Sequence, residues 1–229
     1  AWGWLAQFRA AAPHNPKLLS FEGQIHWFGG QVRAAHDALA RLLERHPDYC
    51  RGITVENDLA VMLQALGEPL QAEAMARRSL QSWAGVAHTE TLSLLVLGLV
   101  LTSAGRHAEA DAALLRALQM AREQSSPGFE AEALVRRARL LLQCGRPAEA
   151  QQALDRAAPL LAHTPEPLRV SQPVLAQVQA AGALGRPAEA AALQRLKAAA
   201  AQSAHPLVQW RRARVAADLA WVAGDRAGT

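Results

Sequence analysis

Apolar positions along this chain recur in helical steps, and a glycine interrupts them at regular intervals. Before Gly105, residues Leu94, Leu97, Gly98 and Leu101 follow each other at three- and four-residue spacing, and after it Ala110, Leu114 and Ala117 do the same. Around Gly145 the runs are Leu134, Ala138 and Leu141, then Ala150, Leu154 and Ala157. An earlier pair reads Leu19, Gly23 and His26, then Ala35, Leu39 and Leu42. Each run is one face of a helix, and small residues in the middle of a stripe allow two helix backbones to approach closely.

The interruptions are themselves a repeat. Gly105-Arg-His-Ala-Glu-Ala110, Gly145-Arg-Pro-Ala-Glu-Ala150 and Gly185-Arg-Pro-Ala-Glu-Ala190 begin 40 residues apart, and looser versions start at Gly30, Gly67 and Gly224, so that the spacings span 37 to 40. A glycine between two helical runs predicts a helix end with one residue at positive φ. Proline two residues on (Pro147, Pro187) fits the first turn of the next helix, where a missing N–H is harmless. The glutamate that follows, Glu149 or Glu189, lies at the positive end of that helix's dipole. Between successive pairs, Ser126 and Thr164 are expected caps with a proline next to them.

Composition agrees. Apolar residues make up 51% of the 229, dominated by alanine, while aromatics are only 5%. Alanine is the strongest helix former, and a chain poor in β-branched and aromatic residues builds sheets badly. The formal charge of +4 is carried by arginine, the only lysines being Lys17 and Lys197. These cations are interleaved with acids, as at Arg77 and Arg78 near Glu73, and form no basic stripe with aromatics, which argues against direct nucleic-acid binding. The most apolar stretch, Leu92 to Leu101, is too short to span a bilayer. Cys50 and Cys144 have neither metal nor redox spacing and read as free thiols, pointing to a reducing, cytoplasmic setting.

These residues resemble tetratricopeptide repeats. The signature of that family puts a large residue, a Leu-Gly or similar small pair and an aromatic on a first helix, then Ala, a large apolar residue, Ala and Pro on a second. Leu94, Leu97-Gly98, Leu101, Ala110, Leu114 and Ala117 follow it with leucine in place of the aromatics, and Asn57-Asp58-Leu59-Ala60 looks like the family's first helix. The resemblance implies an all-α, right-handed α-solenoid of helix-turn-helix repeats with about twelve helices. The repeats fall at about 15–52, 53–90, 91–130, 131–170 and 171–209, flanked by half repeats at 1–14 and 210–229, in a single repeat domain. The period is longer than that family's usual unit, and the Gly-Arg-x-Ala-Glu-Ala turns are similar to the repeat regions of MalT-like activators with LuxR-type DNA-binding ends and of AfsR-like regulators. Apolar residues crowd both ends (Trp2, Trp4 and Phe8; Trp210, Val215 and Trp221), whereas solenoids end in polar caps, so the segment is expected to be cut from a longer protein or to self-associate through its terminal helices.

The eight histidines invite a metal or catalytic reading. His36 and His46 are nearly three turns apart on one helix, too far for shared ligation, and His26 stands where the repeat keeps a packed aromatic. No metal-binding, nucleophile-elbow or phosphate-loop motif occurs, so no enzyme and no cofactor is expected. Binding is expected instead on the concave face lined by first helices. The residues beside the packing stripe there are Trp27, Asn57, Gln64, Leu95, Leu99, Arg136, Arg139, Gln143, Gln179, Arg211 and Arg214. The resulting groove is apolar in its middle and basic toward its C-terminal half. It suits a protein or peptide partner, or a small-molecule inducer, with apolar anchors and acidic groups. The expected function is the sensor or interaction domain of a bacterial transcriptional regulator. The alternative is a generic assembly scaffold in secretion or envelope biogenesis.

Overall fold

The computed structural model describes residues 2–161, 167–184, 198, 201 and 206–222. All the secondary structure among them is helical. Twelve helices follow one another: α1 (Trp2–Ala11), α2 (Lys17–Phe28), α3 (Val32–Arg45), α4 (Pro47–Cys50), α5 (Val55–Ala65), α6 (Pro69–Ser82), α7 (Ala87–Ser103), α8 (His107–Glu123), α9 (Pro127–Gln143), α10 (Pro147–Leu161), α11 (Pro167–Ala183) and α12 (Pro206–Val222). They form two compact units, Ala1–Arg106 and His107–Thr229. In the first, α2 packs on α3, α3 on α5, α5 on both α6 and α7, and α6 on α7. In the second, α9 packs on α8, α10 and α11, while α11 also contacts α10 and α12. Within each unit, this packing of neighbouring helices on one another is that of a helical repeat.

The turn glycines behave as their positions predict. Gly30, Gly67, Gly105 and Gly145 all have φ between 69° and 78°. At Gly105 the backbone closes in the double bond of a Schellman end: Gly105 N donates to Thr102 O at 3.2 Å and Arg106 N to Leu101 O at 3.0 Å. The same two bonds recur at Gly30, Gly67 and Gly145. Gly185 and Gly224 lie outside the described residues. Two turns are additional. Gly85, ahead of α7, has φ 83° and donates its N–H to Glu90 Oε2 at 2.8 Å. Between α8 and α9, Ser125 takes the glycine's place at φ 50°, with Ser125 N bonded to Arg122 O and Ser126 N to Ala121 O. Ser126 occupies the cap position of α9 but makes no side-chain cap bond. The start of α9 is set instead by Pro127 in its first turn and by the Ser126 carbonyl, which accepts from Glu130 N at 3.0 Å. Thr164 lies outside the described residues.

Alanines fill the contact lines. Ala35, Ala72, Ala76, Ala110, Ala117, Ala131, Ala138 and Ala150 are all fully buried, in keeping with close helix approach through small side chains. Gly23 is the tightest such point: a Cβ there would stand 2.7 Å from Leu39 Cδ2 and 2.8 Å from Leu39 Cγ, both in the packed core of α2 and α3. Around α7 the buried set includes Leu94, Leu95, Val96 and Leu97 in succession, so burial extends round the helix and not along one stripe. Its buried hydroxyls bond back to their own helix, Thr91 to Ala87 O and Thr102 to Gly98 O, both at 2.7 Å.

Polar contacts join neighbouring pairs. Asn57 Nδ2 on α5 donates to Ser93 Oγ on α7 at 3.1 Å, and Ser93 Oγ lies 3.0 Å from Ser79 Oγ on α6. Arginines span successive pairs on the surface: Arg33 Nη1 to Glu68 Oε1 (3.0 Å), Arg106 to Glu73, and Arg137 Nε to Asp111 Oδ1 (2.7 Å). Arg146 instead clasps Glu149 of its own turn with two bonds of 2.6 Å.

Two stability changes follow. A serine in the left-handed region costs about 1–2 kcal/mol, and glycine gives back about 0.4–1 kcal/mol through its freer unfolded chain. Ser125→Gly is therefore expected to raise unfolding free energy by roughly 0.5–1 kcal/mol, read as a higher denaturant midpoint at unchanged slope. Ser93→Ala removes the partner shared by Asn57 and Ser79 inside the first unit. It is expected to cost about 1–3 kcal/mol, as for other buried polar groups left unsatisfied. An unchanged midpoint for Ser93→Ala would show that the three-helix bond set contributes nothing.

Candidate binding surface

In the first unit, Trp27 on α2 is half-buried and packs against the cluster of Ala35, Leu39, Leu42, Val55 and Leu59. Gln64, near the C-terminal end of α5, donates from Nε2 to Ser103 Oγ at 3.2 Å, and that hydroxyl also bonds Leu99 O. Gln64 and half-buried Leu99 are thus brought together across α5 and α7. Asn57 and Leu95 are different: they are 2% and 0% exposed and belong to the interior. The Asn57 amide is spent on Ser93, and its Oδ1 has no hydrogen-bond partner among the described residues. Neither side chain is open to a ligand from solvent.

Sequence reasoning passed over Asp58, which neighbours Asn57 on α5. Its side chain keeps an exposed edge, but the protein gathered around it removes enough water to push its carboxyl up to about 6. Asn57 and Asp58 are adjacent polar residues, and only the packing of the neighbouring helices determines which of them turns inward. Because the folded pKa lies above the ordinary unfolded value of about 3.9, the native state binds this proton more tightly than the unfolded chain. The carboxylate therefore weakens folding above pH 6, and the penalty fades as pH falls toward 4. Asp58→Asn is expected to raise the melting temperature at pH 7.5 and to flatten the gain in stability otherwise seen between pH 7 and 5. Parallel pH profiles for the two proteins would contradict this.

The second unit holds the arginines. Arg136 and Arg139 lie one turn apart on α9, and Arg211 and Arg214 likewise on α12. Arg136 pairs with Glu132, four residues back on the same helix, and its side chain is only 11% exposed. Arg214 Nε pairs with Asp218 Oδ1 at 2.9 Å, also within its own helix. Arg139 makes no hydrogen bond or ion pair with any described residue. Removal from water, followed by repulsion from Arg136, lowers its affinity for its proton. Arg211 goes further, down to about 10, through removal from water and then repulsion from Arg139 and Arg136. Gln179 on α11 is half-buried and Gln143, at the end of α9, is exposed.

Among the described residues no three His, Cys, Asp or Glu side chains are arranged to hold a metal ion. His26 sits edge-on to Trp2, with ring centroids 4.8 Å apart, and bonds Gln31. Cys50 is buried, and loss of water raises its thiol pKa, while Cys144 is exposed. A small cavity of about 150 Å³ lies between α8 and α9, lined by His107, Asp111, Leu140 and Cys144 among others. Among the described residues no helix is long and apolar enough to cross a membrane.

Helix pairs closed by glycine turns make up a helical repeat among the described residues. Residues 53–127 match the family model described as tetratricopeptide repeat, which places α5 to α8 in that pattern. The matched segment is less than half of the chain, and over it the chain is similar to tetratricopeptide repeats. Comparison with curated proteins returned no match.

Proposed function

We propose that this chain is the sensor or interaction region of a bacterial transcriptional regulator, a non-enzymatic scaffold that binds a protein, a peptide or a small-molecule inducer. The observation that carries this reading is the turn, Gly-Arg-x-Ala-Glu-Ala at a spacing of 40 residues, between helices 15 to 17 residues long. Such turns and long helices are similar to the repeat regions of MalT-like and AfsR-like regulators. In this reading DNA is contacted by another domain, because many of the described arginines are paired with acids. Partner contact falls to Trp27, Gln64 and Leu99 in the first unit. In the second it falls to Arg136, Arg139, Gln143, Gln179, Arg211 and Arg214. Asn57 and Leu95 support that surface from beneath.

The reading is decided by sequencing the gene's open reading frame on both sides of this segment. A winged-helix or LuxR-type helix-turn-helix in the same frame is the expected result. A frame composed of repeats alone would overturn the regulator. An upstream signal peptide or lipid-anchor cysteine would replace it with an assembly scaffold of secretion or the envelope.

A further inference from the structure

Aromatic side chains are rare in this chain, yet α1 carries Trp2, Trp4 and Phe8 within ten residues of which only Leu5 is buried. A helix that short is held by tertiary packing and not by its own hydrogen bonds. Trp4 stacks on Phe8 with ring centroids 5.4 Å apart and meets Phe21 of α2 edge-on at 5.1 Å, while Phe8 and Phe21 are 6.1 Å apart. The three rings thus fix one another, and Trp4 is still 53% exposed. Beside them, Glu22 is shared by two guanidiniums: its Oε2 lies 3.6 Å from Arg9 Nη2 and its Oε1 3.7 Å from Arg41 Nη2. Glu22 is the only acid on α1 and α2, which also bear Lys17, so this aromatic shelf has a positive rim.

We propose that Trp4, Phe8 and Phe21 dock a partner protein that presents a leucine or aromatic side chain next to a carboxylate, the carboxylate meeting Arg9 and Arg41. Rings already held by their neighbours lose little freedom on docking, and tryptophan with arginine is the pairing that dominates binding energy at protein interfaces. Charge selects the occupant. Two arginines sharing one carboxylate leave a positive excess that an acid on the partner would complement. A second copy of the same face would instead bring Arg9 and Arg41 against their own counterparts. An anionic bilayer is recognised by clusters of about four to eight cations, more than this rim provides. The surface is separate from the one that holds Trp27, Gln64 and Leu99, and it goes beyond the regulator reading.

The test pans a phage-displayed random-peptide library on the whole chain, with Trp4→Ser as the counter-selection surface. Enriched peptides are expected to combine leucine or aromatic residues with aspartate or glutamate. One of them, synthesised and titrated by calorimetry, should bind Trp4→Ser about 10- to 100-fold more weakly than the parent, as at other interface anchors. Arg9→Glu should also weaken binding, and added salt should weaken the parent more than this variant. Circular dichroism checks that each variant is folded. Arg9→Glu alters an exposed side chain, so it keeps the test decisive should Trp4→Ser fail to fold. Trp210→Ser, which removes an exposed tryptophan of the second unit, should bind as the parent does. A library that enriches nothing, peptides without acids, or peptides indifferent to both variants would overturn the surface. So would dimerisation abolished by Trp4→Ser, which gives the face to a second copy, or binding to phosphatidylglycerol vesicles lost in that variant, which gives it to a membrane. Each of these results leaves the regulator reading standing, since the flanking reading frame decides it independently.

Discussion

Each of α2, α5, α7 and α9 ends with two successive backbone amides turned back onto carbonyls three and five residues earlier, through a glycine at positive φ. Everything downstream depends on that closure. It stops one helix and releases the next within two or three residues, so that α2 and α3, α5 and α6, and α9 and α10 pack side by side. Once they do, the residues at their contact line have little room, which is why alanine, and at one point glycine, is found there. The pair buries only part of its apolar surface by itself, and the rest is covered by the pair stacked next to it.

The closure was also the most legible feature of the sequence. A glycine recurring after apolar helical runs has few other physical meanings, and Gly30, Gly67, Gly105 and Gly145 all adopt the left-handed backbone it implies. Ser125 was invisible because serine tolerates many turn conformations, and nothing local marks it as the residue that takes the glycine's place. Assignment of side chains to the exposed surface was harder. On an amphipathic helix the polar stripe points outward, but α7 is apolar nearly all round and offers no stripe to read, so Leu95 looks no different from half-buried Leu99. On α5, Asn57 and Asp58 are equally polar. Burial of the amide and exposure of the acid depend on Ser93, 36 residues away.

Charge in the two units is handled in contrasting ways. Most arginines of this chain are ordinary: they lie across the surface of a helix or turn and meet an acid at 2.6 to 3.7 Å. Pairs of that kind are partly solvated and each contributes little to stability. Arg139 departs from this pattern: it meets no acid among the described residues, and removal from water lowers its affinity for its proton. Asp58 is the converse case in the first unit, an acid kept partly accessible in surroundings that disfavour its charge.

The bonds between successive pairs carry a consequence for how such a chain can change over generations. Arg33 ends on Glu68, Arg106 on Glu73 and Arg137 on Asp111, and in each case the two ends of the bond belong to different helix pairs. A repeat protein grows by copying a stretch of gene, and the neatest places to cut are the glycine turns. A copy taken between two such turns inherits half of each bridge and must find the other half on a neighbour that already has one. The spacing is regular enough to permit duplication, yet each copied piece would have to be edited before it fitted. Slow divergence of the six glycine-led segments from one another, some keeping Gly-Arg-x-Ala-Glu-Ala and some losing it, is the record such editing would leave.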